Sequence, residues 1–391
     1  MLDDIKLSIF ENIINRDSGG DELLQEILDC NHSFTQSPSE ICYFTKDGDE
    51  LKFNDTAGLD VIGIPIGAST STNKRSSKKT SSQSYEPIVG ARLTEGFDAY
   101  THPSLDQIYS LEDLFKALKH QVSSGKLSLK DLKFITLRRH LQKLMNVPLN
   151  KQPIQFNVIY WNGLIFFIYD WEAEDAAQNE EDQFLRMLQY SGFRFEKVLT
   201  RSDTESKYYT VVNHKVGDTP VTYSAEIDCG IDKCSGLDNY VELKTHFKVL
   251  DDRLRTLNKL HRKLMSLYCQ NKFVSCEHSV IGFRTADFNL ASVKKYTDLE
   301  LKGLLRSSPI FLTHGCLINT RHIFQWYNLV IRWISERKII DTEPKIFTLC
   351  FERAEELMDS KLSLKPVNPA ESNRIFNNSI PKWFQDFIKH K

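Results

Sequence analysis

A chain of 391 residues with 41% hydrophobic and 11% aromatic content has the makeup of a globular protein able to bury a sizeable core. Its 50 Lys and Arg nearly balance 52 Asp and Glu, so net charge gives no argument for nucleic acid, and only a local basic surface could supply one. The longest apolar run, Leu164 to Tyr169, is strand-sized and well short of the ~20 residues of a membrane span, so no membrane contact is expected.

The chain opens Met1-Leu2-Asp3-Asp4, with acids where a secretory leader would carry cations, and an intracellular protein of the nucleus or cytoplasm is expected. Residues 1–36 read as an amphipathic helical extension, broken at Asp17-Ser18-Gly19-Gly20. The remainder, 37–391, reads as one domain. It contains a Ser/Thr/Lys-rich stretch at 67–84, expected to be a flexible loop; its run Lys74-Arg75-Ser76-Ser77-Lys78-Lys79 fits a solvated loop, a nuclear-import signal or an RNA-contacting tail. Helices are predicted at 111–122 and 130–145. A hairpin follows, Ile154 to Trp161 and Leu164 to Tyr169, because Asn162-Gly163 suits a turn with positive φ at both positions. An acidic stretch leads to a helix at 183–199, then strands at 208–215, 221–229, 239–245 and 279–284, with a long helix at 252–272 before the last. Helices at 296–306, 319–337 and 381–389 and a strand at 345–351 complete the pattern. Helices and strands interleave without repeats, which predicts an α/β (α+β) fold of mixed β-sheets flanked by helices. Eight cysteines without a Cys-x-x-Cys pair point away from zinc ribbons and redox motifs and towards reduced, mostly buried thiols.

Two strands in the middle of the chain carry the chemistry. One reads Glu226-Ile227-Asp228, the other Glu242-Leu243-Lys244. Alternation puts Glu226 and Asp228 on one face, and Glu242 and Lys244 on one face, with Ile227, Val241 and Leu243 towards the core. Ionised groups amid apolar strands are costly unless compensated, and a divalent cation is the natural compensation for clustered carboxylates. Hard oxygen donors select Mg²⁺ or Mn²⁺. A lysine two residues from a metal-binding glutamate suits phosphodiester hydrolysis, where its ammonium orients water and offsets charge on the phosphate. The bland alternative is a pair of surface strands with salt-bridged polar faces; the two motifs together form the pattern of a PD-(D/E)xK nuclease-like core. On the long helix, Arg255, Lys259 and Arg262 form a basic stripe, read either as a phosphate-backbone seat or as a solvated face, and Lys263 and Gln270 share a neighbouring face.

Taken in order, Thr136-Leu137-Arg138, Gly192 to Glu196, Glu226-Ile227-Asp228 and Glu242-Leu243-Lys244 resemble the motifs of the DXO family of RNA decapping enzymes and their yeast relatives. The likeness extends from Pro38 to about residue 350. It implies a hydrolase that removes incomplete or non-canonical 5′ caps, NAD caps included, or 5′ pyrophosphate, often with 5′-3′ exoribonuclease activity. It also leaves room for a 5′-3′ exoribonuclease partner. The resemblance implies Mg²⁺, with Mn²⁺ able to substitute, on Glu196, Asp228, Glu242 and the Leu243 carbonyl, with Glu226 bound directly or through water. Lys244 and Gln270 would hold the scissile phosphate or water, and Arg138 the 5′-terminal nucleotide. This chain departs from the family pattern at Leu137, usually aromatic, and Arg139, usually glycine. With less base stacking and an added cation, phosphate-rich 5′ ends are the expected preference. Two other readings stay open: a catalytically inactive relative that binds RNA or a nuclease partner, and a DNA nuclease with the same core.

Overall fold

The computed structural model describes residues 4–30, 33–63, 88–149, 153–172, 183–250, 253–307, 310–311, 317–355 and 359–390. The stretch at 67–84 lies outside the described residues, as does most of the acidic stretch before the 183–199 helix. In chain order the elements begin with β1 (Asp4–Lys6), α1 (Ile9–Asn15), α2 (Glu22–Asp29), β2 (Gln36–Asp47), β3 (Glu50–Phe53), α3 (Leu105–Tyr109) and α4 (Glu112–Ser123). They continue with β4 (Phe134–Leu137), α5 (Arg138–Met145), β5 (Ile154–Trp161), β6 (Leu164–Tyr169), α6 (Gln183–Thr200), β7 (Lys207–Val216), β8 (Thr219–Ile227), β9 (Cys229–Gly230), β10 (Tyr240–Phe247) and α7 (Leu254–Lys272). The last are β11 (His278–Arg284), β12 (Leu290–Thr297), α8 (Asp298–Ser307), β13 (Ile310–Phe311), β14 (Leu317–Ile318), α9 (Thr320–Ser335), β15 (Lys345–Glu352), β16 (Lys361–Pro366), α10 (Pro369–Ser379) and α11 (Lys382–Lys389).

Ten strands form one mixed sheet in the order β1-β16-β15-β5-β6-β4-β8-β7-β2-β3, and β12-β11-β10-β9 form a second. The large sheet is apolar on both faces because its strands alternate between two cores. Along β6, Ile165 and Phe167 join a cluster with α5, α7 and α9, whereas Phe166 and Ile168 join one with α4 and α11. Asn162 and Gly163 turn the β5–β6 hairpin with φ of 48° and 78°, the positive values such a turn demands.

Two expectations are corrected here. The helix predicted over 130–145 is really a short 3₁₀ turn, then β4, then α5 starting at Arg138. All four β4 residues are buried, and the strand runs parallel to both β6 and β8 in mid-sheet. A strand covered on both faces shows no alternation, so its apolar run mimics a helix. At the N-terminus, Asp4–Lys6 is a strand paired with β16, not helix, and Ile5, Phe10, Ile13, Leu24 and Ile27 lie in the main core. The Phe10 ring sits 6.1 Å from Trp326 of α9. Among the described residues, no helix is long and apolar enough to cross a membrane.

The second sheet lies between α6 and α7: Phe195 and Leu199 pack with Val241, Leu243 and Val280 on one face, Cys269 and Phe273 with Tyr240 and Ile281 on the other. Gly282 of β11 sets how closely α6 approaches. A Cβ there would lie 2.6 Å from Cε2 of Phe195 and 2.9 Å from Cδ1 of Leu290. We predict that Gly282→Ala costs about 1–3 kcal/mol by overpacking, and that Phe195→Leu in the same chain recovers part of the loss. Urea denaturation of the three variants checks this; an unchanged midpoint for Gly282→Ala would show that α6 is not seated on this contact.

Candidate active site

The chain crosses from the large sheet to the small one between β8 and β9, and the acidic residues gather at that crossing. Glu226 is the penultimate residue of β8. Asp228 lies just beyond the strand, and its Oδ2 accepts the Leu243 N–H of β10 at 2.7 Å. Glu226 and Asp228, both half-buried on either side of buried Ile227, take different partners. Asp228 turns towards β10, while Glu226 stays on the β7 side of the large sheet. There its Oε1 accepts from Lys207 Nζ at 2.8 Å, and its Oε2 lies 3.5 Å from both Arg139 Nη2 and the Tyr209 hydroxyl.

Glu242, only 2% exposed, is compensated from three directions. Lys244 Nζ pairs with its Oε1, Arg138 Nη1 donates to its Oε2 at 3.1 Å, and the Gln270 amide donates to Oε1 at 2.5 Å. Gln270 is itself fixed by the Gln142 amide, which donates to its Oε1 at 3.0 Å. The second Arg138 nitrogen donates to the Glu226 main-chain carbonyl at 2.6 Å. Lys244 also lies 3.5 Å from Asp228 Oδ2.

These partners divide the carboxylates into two kinds. Burial raises the Glu242 carboxyl, but the Lys244 and Arg138 charges outweigh it and hold it at about 2. Burial likewise raises Glu226, and Lys207 and Arg139 bring it below its ordinary value. Asp228 is pushed up to about 7, by burial first and by the Glu242 charge next. Glu196 of α6 is raised well above the usual range by burial and by Asp228. Burial lowers Lys244, but Asp228 and Glu242 more than reverse it, so the ammonium stays protonated at neutral pH.

Among the described residues no three Asp, Glu, His or Cys side chains converge as a ready cage for a metal ion. The reason is visible in the pairings: the Lys244 ammonium lies between Glu242 and Asp228, and Glu226 is drawn off to Lys207 and Arg139. The donor set nonetheless fits a hard divalent cation. Among the described residues no hydrogen bond or ion pair reaches the Glu196 carboxylate, which faces Asp228, Glu226 and Glu242 with Lys244 as its compensating neighbour. Such a group is stabilised by an incoming cation.

The expected nucleotide-binding residues fare unevenly. Arg138 is buried and both its Nη atoms are spent on Glu242 and Glu226, so it braces the site. Leu137, 7% exposed, packs in the α4–α11 core and offers no surface to a ligand. Arg139 is half-exposed, with its guanidinium 5.7 Å from the Tyr109 ring. On α7, Arg255 and Lys259 are exposed, whereas Arg262 donates to the Leu149 carbonyl at 3.1 Å. Lys259, Lys263 and Gln270 are stacked on one face by the helical repeat, and the Gln270 amide makes that face's contact with Glu242. Lys263 feels both Lys244 and Glu242, and burial followed by the Lys244 charge lowers its ammonium. Sequence reasoning missed Lys207, Tyr209 and Tyr100, whose phenol is raised by burial and stands in the field of Lys207 and Glu196. For the first two a signal existed: counting back from the β7–β8 turn pairs Tyr209 with Glu226 and puts Lys207 on the same face.

Against known proteins, the chain is 29% identical over 231 residues to decapping nuclease RAI1 of Yarrowia lipolytica, a match spanning 54% of this chain and 65% of that relative. It is 24% identical over 301 residues to the decapping and exoribonuclease protein of Xenopus laevis, covering 72% of this chain and 73% of the other. Its fold superposes on Scheffersomyces stipitis Rai1, solved with (3′-NADP)⁺ and calcium, with a TM-score of 0.75 at 21% identity over 93% of this chain and 98% of that one. Candida albicans Rai1, solved with pU5 and Mn²⁺, gives 0.73 at 19% identity over 91% and 95%. Residues 36–385 match the model described as RAI1 like PD-(D/E)XK nuclease, and with most of its length inside that match, the chain belongs to this family of nucleases.

Proposed function

We propose that this chain hydrolyses RNA 5′ ends in a divalent-metal-dependent reaction, removing incomplete or non-canonical caps, NAD caps among them, or 5′ pyrophosphate, and then digesting 5′ to 3′. The observation that carries the reading is the meeting of Glu196, Asp228, Glu242 and Lys244 at the junction of α6, the β8–β9 crossing and β10. Relatives described as decapping nucleases, and Rai1 structures holding pU5 with Mn²⁺ or (3′-NADP)⁺ with calcium, support the substrate class. Glu196, Asp228, Glu242 and the Leu243 carbonyl would hold the cation, which is Mg²⁺ in this proposal with Mn²⁺ able to replace it. When bound it supplies Lewis-acid stabilisation of phosphoryl charge. Lys244, a fixed ammonium among these carboxylates, orients water and offsets the negative charge that builds on the phosphate. Gln270 and Arg138 keep Glu242 ionised and aimed.

Asp228→Asn is expected to abolish hydrolysis of 5′-labelled RNA in Mg²⁺ while leaving the fold intact, as seen by circular dichroism. Glu242→Gln is expected to do the same at a greater cost in stability, since it leaves Arg138 without its buried partner. Turnover of the folded Asp228→Asn protein at the wild-type rate would remove the basis of the reading.

Lys244→Ala is expected to slow the single-turnover rate by about 10²- to 10³-fold with little change in RNA affinity, because its charge acts where charge develops. Loss of affinity with an unchanged saturated rate would make Lys244 a binding residue instead.

The electrostatics also fix a pH dependence. The Asp228 carboxyl moves from an ordinary 3.8 to about 7 in the fold, so the stability linked to its proton is present below about pH 4 and is lost as pH rises through about 7. A cation must displace that proton. Mn²⁺ titrated calorimetrically should therefore bind more tightly at pH 8 than at pH 6, with proton release at the lower pH; equal affinity at both values would contradict the assignment of Asp228 as a ligand.

A further inference from the structure

One group of charges beside the acidic centre is not absorbed by the hydrolysis chemistry. Lys207 Nζ and Arg139 Nη2 sit on the two oxygens of a single carboxylate, Glu226, at 2.8 Å and 3.5 Å. Their side chains are 41% and 39% exposed, and that of Glu226 is 30% exposed. The two cations thus share this one anion and reach solvent. Among the described residues most of their N–H donors are also uncommitted: Lys207 spends one of three on Glu226, and Arg139 makes one long contact out of five.

The arrangement is built rather than incidental. Lys207 and Glu226 come from neighbouring antiparallel strands on one sheet face, since Tyr209 pairs with Glu226 across β7 and β8. Arg139 comes from the first turn of α5 and lies over the Tyr109 ring, while the Tyr209 hydroxyl meets Glu226 Oε2 at 3.5 Å. The position is equally definite. The Glu226 main-chain carbonyl is tied by Arg138 to the carboxylate of Glu242, so the cations stand next to the proposed hydrolytic centre. Lys207 shares a field with Glu196.

We infer that Lys207 and Arg139 form a clamp for the terminal phosphates of an RNA 5′ end, with Glu226 as the positioning residue that spaces them. This rests on the 5′-end hydrolase reading above and names the feature of the end that the site recognises. Paired cations with free donors at a fixed separation suit the several non-bridging oxygens of a polyphosphate, whereas a backbone phosphodiester presents only two.

The test uses pentauridylate labelled with fluorescein at its 3′ end and carrying either a 5′-triphosphate or a 5′-hydroxyl. The full chain is titrated with each in EDTA, and anisotropy gives the affinity ratio. The wild type should prefer the triphosphate by about tenfold, Lys207→Gln and Arg139→Gln should each reduce that to about threefold, and the double variant should abolish it, with 5′-hydroxyl affinity held in all. Glu226→Gln keeps both cations but loses their spacing, so it too should lower the ratio without weakening the 5′-hydroxyl oligomer. A double variant that keeps the wild-type ratio, or that loses affinity for both oligomers equally, would overturn the clamp in favour of ordinary backbone contacts. Hydrolysis of the same oligomers in Mg²⁺ is scored separately. A wild type that cleaves them with an unmoved ratio fails the clamp alone, and one that binds as described but never cleaves fails the hydrolase reading alone.

Discussion

The buried guanidinium of Arg138 is the contact on which the site depends. It stands at the start of α5, directly after the central strand β4, and reaches across two sheets at once. One nitrogen holds the main chain of β8 at Glu226, and the other holds the Glu242 carboxylate of β10. Together with the Lys244 ammonium, whose charge lowers Glu242 most, it offsets the burial that favours the neutral acid. With it, Glu242 remains ionised and anchors Lys244 and Gln270. A residue that reads in the sequence as a nucleotide contact is thus a brace between the large sheet and the sheet that holds Glu242 and Lys244.

The carboxylates are asymmetric. Glu242 and Glu226 are already matched by cations and sit below their ordinary values, whereas Asp228 is raised by burial and by the Glu242 charge, and Glu196 by burial and by Asp228. A fold selected for stability alone would be better served by apolar residues at the second pair. Holding two under-compensated acids beside two compensated ones costs free energy and leaves room for one more positive charge. The same asymmetry separates two tasks: the under-compensated acids suit a hard cation, and the compensated Glu226 presents its cations outwards.

Much of this was legible in the sequence, and the reasons for the failures are specific. Asn162-Gly163, the spacing of Glu242 and Lys244 and the apolar residues between the charges follow from turn chemistry and strand alternation, which are local. The β4 strand was not legible, because burial on both faces erases the period that distinguishes strand from helix. The change of sheet was not legible either: β8 stops at Ile227 and β9 begins at Cys229, a break that local alternation does not announce. Leu137 looked like a pocket residue by its place next to Arg138, yet its side chain belongs to the α4–α11 core. Chain neighbours at a strand-to-helix junction point in unrelated directions, and only the fold assigns them.

The position of Lys244 carries the last step. Its ammonium touches Glu242 and approaches Asp228, so it stands between those two acids. A single positive charge there can neutralise at most one of the surrounding carboxylates, and Glu196 and Asp228 keep their raised values in its presence. Lysine is therefore too weak a compensation for the whole centre. Its charge is a single point at the end of an unbranched stem, whereas the Arg138 guanidinium is a planar fork held through two nitrogens. The two cations nearest Glu242 thus differ in kind: the fork joins the two sheets, and the ammonium offsets part of the charge of Glu242 and Asp228.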